Sequence, residues 1–250
     1  MKFVRFLSKN HVKYGIVESN QIQEIDDSFF GEYNLTNTYY TLQSIKILPP
    51  VIPTKIVAIG LNYKEHAKEM DIAIPLQPVI FFKPPSSIIA HQESIVHPDM
   101  ANRIDYEGEL AIIIGNVSKN VSIEKAKNYI AGVTICNDVT ARDLQATDNQ
   151  WSRAKGFDTF CPLGPYLVNE LDYDNLAIKT KLNKTLVQAS NTNNMIFTTS
   201  EIVSYVSQIM TLFPGDVILT GTPSGIGAMQ PNDVIEIEIE GIGTLVNYNR

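Results

Sequence analysis

Short apolar runs broken by turn residues dominate the chain. Residues 2–7 (KFVRFL) and 13–18 (KYGIVE) flank the turn-like cluster Ser8-Lys9-Asn10-His11, and a third short run covers residues 20–25. β-prone runs on either side of such a cluster predict a small β-meander. Pro49, Pro50 and Pro53 follow. Prolines favour an extended linker, which places a boundary near residue 50. The expected organisation is a small N-terminal β-rich domain over 1–50 and a larger domain over 51–250.

Beyond that boundary PVIFFK (78–83), ELAIIIG (109–115), GVTICND (132–138), YLVNE (166–170) and DVILTG (216–221) read as strands. In the run 233–248, Ile235, Ile237 and Ile239 alternate with Glu236, Glu238 and Glu240, the mark of a half-buried strand. Two helices are predicted. The first covers 122–132, with Ser122 as N-cap and Gly132 just past its end. The second covers 198–215, opens on the capping box Thr198-x-x-Glu201, and stops at Pro214-Gly215. Ile202, Val206, Ile209 and Met210 would share its apolar face. Strands do not alternate regularly with long helices, so a doubly wound parallel sheet fits poorly. A mixed, β-rich α+β architecture with short peripheral helices fits better.

Composition narrows the function. The chain has 250 residues, enough for a full core, with 44% hydrophobic and 19% charged residues. Its net charge of −7, with no Lys/Arg run, argues against a nucleic-acid partner. No apolar stretch approaches a membrane span and no signal-peptide pattern opens the chain, so a cytoplasmic protein is expected. Cys136 and Cys161 form no C-x-x-C pair and read as buried small hydrophobes.

The candidate chemistry starts at Asp105-Tyr106-Glu107-Gly108-Glu109. Strand side chains alternate, so Glu107 and Glu109 point one way, about 7 Å apart, and can converge on one cation. Gly108 permits close approach of a neighbouring backbone or ligand. Glu236, Glu238 and Glu240 share that spacing on what reads as a solvated face, so spacing alone decides nothing. Asp138 adds a third carboxylate at a strand tip, although Asn137-Asp138 also suits a simple turn or helix cap. Thr140 with Asp143 offers a better cap for the helix TARDLQ. On that helix Arg142 and Gln145 share a face. An Arg there can grip a substrate carboxylate or sit on the surface beside an acid. His91 and His97 lack metal-ligand spacing and read as loop histidines, and Trp151 reads as packing.

Taken together, GLNYKEHAKE (60–69), FFKPPSS (81–87), DYEGELAIIIG (105–115), NDVTARDLQ (137–145), WSRAKGFDTFCPLGP (151–165) and FPGDVILTGTPSGIG (213–227) resemble the fumarylacetoacetate hydrolase family, in the family's order. The resemblance covers most of residues 55–250. It implies the family's C-terminal β-roll around a central pocket, with a small N-terminal β segment. It implies metal ligands at Glu107, Glu109 and Asp138, for Mg²⁺ or, as substitutes, Mn²⁺ or Ca²⁺. His66 and Glu69 match the His-x-x-Glu pair of the shorter members, and Lys155 matches an active-site lysine. Arg142, Gln145 and Thr222 match substrate contacts, with Lys83 as a further one. KIVAIGLNY has no acid where the namesake enzyme carries a fourth carboxylate ligand, so the chain resembles the shorter branch. That branch includes acylpyruvate hydrolases, oxaloacetate decarboxylases or tautomerases, and isomerases of ring-cleavage diacids. A homodimer is the family expectation.

The implied substrate is a small 2-oxo acid. A cation chelating the oxo group and its carboxylate would polarise the carbonyl and stabilise an enolate. His66 would act as base, with Glu69 one turn on to orient it. The leading expectation is hydrolysis of a C–C bond in an acylpyruvate. The alternatives are isomerisation, tautomerisation or decarboxylation through the same enolate, and a non-catalytic oxo-acid binder. Without the family match, His66 would read as a surface histidine paired with Glu69. GTPSGIG (221–227) lacks the G-K-[ST] ending of a phosphate loop. It is expected to turn its amides and the Thr222 hydroxyl toward an anionic substrate.

Overall fold

A computed structural model describes residues 1–250. The strand Gly108–Ile114 is buried along its whole length, which explains why its sequence is nearly continuous apolar and not alternating. Each of its faces meets a different core. Leu110, Ile112 and Ile114 join the larger core, with Ile235, Ile237, Ile239 and Val203. Ala111 and Ile113 join a second core with Cys136, Cys161 and Leu163.

This strand lies near the middle of a 12-stranded sheet. The main path runs Leu35–Thr41, Gln21–Ile25, His11–Glu18, Lys2–Ser8, Cys161–Val168, Ile130–Asn137, Gly108–Ile114, Val217–Leu219, Ile56–Gly60 and Val79–Lys83. Most neighbours are antiparallel, and Val217–Leu219 runs parallel to Ile56–Gly60. A five-stranded sheet built on Val234–Ile239 covers the larger core. A three-stranded sheet joins Thr140–Ala141, Ile104–Tyr106 and Gly227–Ala228. The result is the β-rich roll with short helices that the sequence implied. No helix is long and apolar enough to cross a membrane.

The N-terminal meander forms as expected from its turn signals, with Lys9 and Asn10 at positive φ between the first two strands. It extends the large sheet, because Phe3 pairs with Leu167. A fourth strand, Leu35–Thr41, was not expected. Its half-exposed Thr and Tyr residues lack an apolar run, and Tyr40 holds it by packing on Phe6 at 5.0 Å.

Three local expectations need correction. The segment predicted as a helix over 122–132 is a 3-10 helix only over Ile123–Tyr129, with no side-chain bond from Ser122. Gly132 lies inside the following strand, Ile130–Asn137, where a Cβ would come within 2.6 Å of the Val168 carbonyl oxygen. The second helix forms with its Thr198/Glu201 capping box but ends at Ile209, which is 52% exposed. Leu212 then bridges to Ser118, so sheet-like pairing takes over before Pro214. Thr140 does not cap the helix Arg142–Thr147; its hydroxyl donates to the Asp138 carbonyl and Asp143 accepts from the Asn102 amide.

Asp216 fastens the linker to the core. Fully buried, its carboxylate accepts from the amides of Thr54 (3.1 Å), Lys55 (3.2 Å) and Phe213 (2.8 Å) and from the Thr54 hydroxyl, and pairs with Lys55. Burial opposes its charge, but the Lys55, Thr54 and Phe213 contacts outweigh it and lower the carboxyl pKa. Asp216→Ala is expected to cost about 2–4 kcal/mol in denaturant unfolding. A depressed folded pKa gives stability that is present above the unfolded value, about 3.9, and is lost as pH falls through the folded one. The wild-type advantage over the variant should therefore shrink only in acid; a pH-independent difference would count against this role.

Candidate active site

Register assembles the site. Gly108 pairs with Asn137 and Glu109 with Cys136, so Glu107 and Asp138 meet at one end of two adjacent strands. The Asp138 amide donates to the Glu107 carbonyl at 2.8 Å, and the Glu107 amide donates to the Asn137 side-chain oxygen at 2.9 Å. Carboxylate oxygens of Glu107, Glu109 and Asp138 all lie within 4.8 Å of one another, and all three residues are buried. Gly108 earns its place by packing: a Cβ there would stand 2.5 Å from the Thr180 hydroxyl of the second sheet.

Cations surround this cluster. Lys155 Nζ donates to Glu107 at 2.8 Å and to Asp138 at 2.6 Å. Lys83 Nζ lies 2.6 Å from Asp138 Oδ1 at an angle that makes an ion pair and no hydrogen bond, while it donates to the Val139 carbonyl. Arg142 donates to Asp105 at 2.9 Å, to Gln145 at 2.6 Å and to Glu107. Burial disfavours the Glu107 charge, yet Lys155 and Arg142 hold its carboxyl down to about 2. Burial likewise opposes the Lys155 charge, and Asp138 and Glu107 overcome it, so its pKa is raised.

Glu109 differs. It accepts only the Gly221 amide, at 2.7 Å, and pairs with no cation. Burial, then Asp138 and Glu107, push its carboxyl pKa well above the usual range. A donor set of three buried carboxylates, one lacking a counter-charge and one with an oxygen free of hydrogen bonds, fits a hard divalent cation. Cation binding would then displace the Glu109 proton. Divalent-cation affinity is expected to keep rising with pH above the ordinary carboxylate range, with proton release seen by calorimetry in buffers of different ionisation enthalpy. Affinity flat above that range, with no proton released, would contradict a protonated Glu109.

A cavity of about 100 Å³ opens onto the cluster. Drug-sized ligands take roughly 300–1,000 Å³, so this one suits a ligand of a few heavy atoms. Glu107, Glu109, Asp138, Arg142, Gln145, Lys155 and Thr222 line it, with His66. His66 is buried on the helix Lys64–Glu69, and its Nδ1 lies 2.8 Å from Glu69 Oε2. The structure thus gathers nine of the ten expected residues at or beside one cavity. Lys83 lies behind Asp138, off the cavity wall. Trp151 packs edge-on against Phe81 at 5.3 Å, and both line the cavity beside Met70 and Ile72.

Two supporting residues join the site beyond those expected from the sequence. Asp105 anchors Arg142 and also takes a two-pronged pair from Arg103. Its signal was its place two residues before Glu107. Buried Asn62 donates to the Thr220 and Phe197 carbonyls and accepts from the Phe197 amide, fastening the segment before His66. A polar residue straight after an apolar strand was its signal. The GTPSGIG loop departs from expectation: its Gly221 and Gly225 amides donate to Glu109 and Glu69 of the protein itself, and the Thr222 hydroxyl donates to the Gly108 carbonyl. His91 and His97 are spent on the Val246 amide and the Ala101 carbonyl.

Comparison with known proteins agrees with this geometry. Residues 55–248 match the family Fumarylacetoacetate (FAA) hydrolase C-terminal, and residues 1–50 match Rv2993c-like, N-terminal. A protein of Archaeoglobus fulgidus is 49% identical over 92% of this chain and 93% of its own length. The human mitochondrial oxaloacetate tautomerase FAHD2A is 42% identical over 81% of this chain and 69% of its own. The crystal structure of a 5-carboxymethyl-2-hydroxymuconate delta-isomerase from Mycobacterium smegmatis, 41% identical, superposes with a TM-score of 0.94 over 100% of this chain and 99% of that one. Fold, matched residues and buried acidic cluster lead to one conclusion: this chain belongs to the fumarylacetoacetate hydrolase family.

Proposed function

We propose that the chain holds a small 2-oxo acid on a divalent cation, Mg²⁺ in the first place, and catalyses its enolisation. The observation that carries this reading is the buried Glu107/Glu109/Asp138 cluster facing a small cavity that His66 also lines. Mn²⁺ or Ca²⁺ would suit the same oxygen donors. When bound, the cation would supply Lewis-acid polarisation of the oxo group.

The remaining steps fall to the chain's own residues. Arg142, anchored on Asp105 and Gln145, presents a fixed guanidinium to the carboxylate end of the ligand. Lys155 keeps its charge in the cavity floor and adds to the field that favours an anion. Glu69 engages His66 Nδ1, which leaves Nε2 to take the proton from the carbon beside the oxo group and return it to the product. The walls formed by Met70, Ile72, Phe81 and Trp151 limit water.

Keto–enol tautomerisation or isomerisation is the first reading, because the relatives above carry those activities at more than 40% identity. Hydrolysis of a C–C bond in an acylpyruvate is the second. The His66–Glu69 pair favours it, since such a pair can also take a proton from water. The test supplies oxaloacetate and acetylpyruvate with Mg²⁺. Ultraviolet loss of the enol without cleavage supports tautomerisation, and pyruvate plus acetate supports hydrolysis. Chelation should stop either. No conversion of either acid with Mg²⁺, Mn²⁺ or Ca²⁺ would end the proposal.

The same proposal takes residues 1–50 as an appended domain and the working unit as a cytoplasmic homodimer without nucleic-acid or membrane partners. The edge strand Val79–Lys83, which leaves Val79 and Phe82 exposed, supports self-association. The net charge of −7 speaks against nucleic acid. Light scattering of the purified protein tests the dimer, and a monomer mass would remove it.

A further inference from the structure

We propose that the glycine-rich loop Gly221–Gly227 is a bracket that fixes His66 relative to the metal-binding carboxylates, and that Tyr106 is the positioning residue that locks it. The proposal rests on the reading that His66 moves the proton.

Two amides of this one loop hold carboxylates from two different elements. The Gly221 N–H donates to Glu109 Oε2 at 2.7 Å, and the Gly225 N–H donates to Glu69 Oε1 at 2.9 Å. The other oxygen of Glu69 meets His66 Nδ1 at 2.8 Å. A continuous chain of bonds therefore runs from a cluster carboxylate through the loop to the imidazole. Glu69 is held through both of its oxygens, and the cluster end is held at Glu109 by the shorter of the two amide bonds.

The loop itself is pinned. The Tyr106 hydroxyl donates to the Gly225 carbonyl at 3.0 Å. Gln188 donates to the Thr222 hydroxyl and to the Pro223 carbonyl, and accepts from the Gly108 amide. These contacts explain two of the glycines. Gly225 has φ +96°, and a Cβ there would lie 2.2 Å from the Val187 carbonyl oxygen. A Cβ on Gly227 would lie 2.8 Å from the Tyr106 hydroxyl. The glycine spacing that resembles a phosphate loop thus serves close approach of protein groups, with the N–H groups directed at the protein's own anions.

Tyr106 suits the role because it stands between Asp105, which anchors Arg142, and Glu107, and is itself buried. Glu69 is the exposed end of the chain of bonds, with 34% of its side chain accessible. Released from Gly225, it is free to rotate into water, and His66 loses its orienting partner.

The experiment compares Tyr106→Phe, Glu69→Ala and the double variant. Tyr106→Phe should lower kcat roughly ten- to hundredfold, the range of supporting hydrogen bonds around a metal site, with KM and Mg²⁺ affinity within about threefold of wild type. In the double variant Tyr106→Phe should add no further loss to that of Glu69→Ala, because both act through one chain of bonds. Amide exchange at Gly225 and Met70, read without any turnover, should quicken in both single variants. Unchanged exchange in Tyr106→Phe, or penalties that multiply, would overturn the bracket. A parallel loss of Mg²⁺ affinity would do so too, since it marks a merely structural residue. If the wild type converts no oxo acid, the proposed function fails, and exchange alone still decides the bracket.

Discussion

Asp138→Asn is expected to lower divalent-cation affinity at least about 100-fold and to abolish measurable turnover. Asp138 faces Lys83 and Lys155 at 2.6 Å each and lies within 4.8 Å of the other two carboxylates. The substitution turns one of three charged oxygen donors into a neutral amide, and it leaves buried Lys83 without its carboxylate partner and buried Lys155 with Glu107 alone. Both effects repel a doubly charged ion. Asn keeps the shape of the side chain, so the fold should survive. Asp138→Ala leaves a void and unpaired charges as well, and should destabilise by about 3–5 kcal/mol. Calorimetric titration with Mg²⁺ or Mn²⁺ measures the affinity, and circular dichroism reports the fold. A folded Asp138→Asn protein with wild-type cation affinity would remove Asp138 from the metal site and with it the proposed chemistry.

How far the sequence could be read depends on whether local or distant contacts decide each feature. Glu107 and Glu109 were legible because strand period and an intervening glycine are local properties. Glu238 and Glu240 have the same spacing and lie exposed, as expected of a solvated face. The intervening Gly108 is the one local difference, and by itself it does not mark a metal site. The deciding difference is the pairing of Gly108 with Asn137, which brings Asp138 to Glu107 across about thirty residues of sequence. The resemblance to known family members supplied that link, along with Lys155 and Thr222, where pattern alone was silent. It also placed Lys83 near the site, though not behind Asp138. The segment 122–132 shows the opposite failure. Its residues suit a helix, but Ile130 pairs with Ile114 in the large sheet, and tertiary pairing overrides propensity. The roles of Gly221 and Gly225 were equally hidden, since an amide gives no sequence sign of which carboxylate it will meet.

His66→Ala should separate binding from chemistry. His66 lines the cavity but is not among the three clustered carboxylates, so cation affinity should stay within about threefold of wild type while turnover falls by roughly 10²–10⁴, the usual worth of a general base. Glu69→Gln should cost less, because the amide oxygen can still orient the imidazole and only the charge is lost. The ordering matters more than either value. A metal-site residue would lose affinity and rate together, as Asp138 should. A residue that moves a proton loses rate alone. KM for the oxo acid should change little in His66→Ala, because the carboxylate grip is assigned to Arg142 and the cation. Steady-state kinetics beside calorimetry on the same preparations reads both quantities. A His66→Ala enzyme with normal turnover would require another base at this cavity, and neither Lys155, held cationic by Asp138 and Glu107, nor Arg142 can accept a proton there.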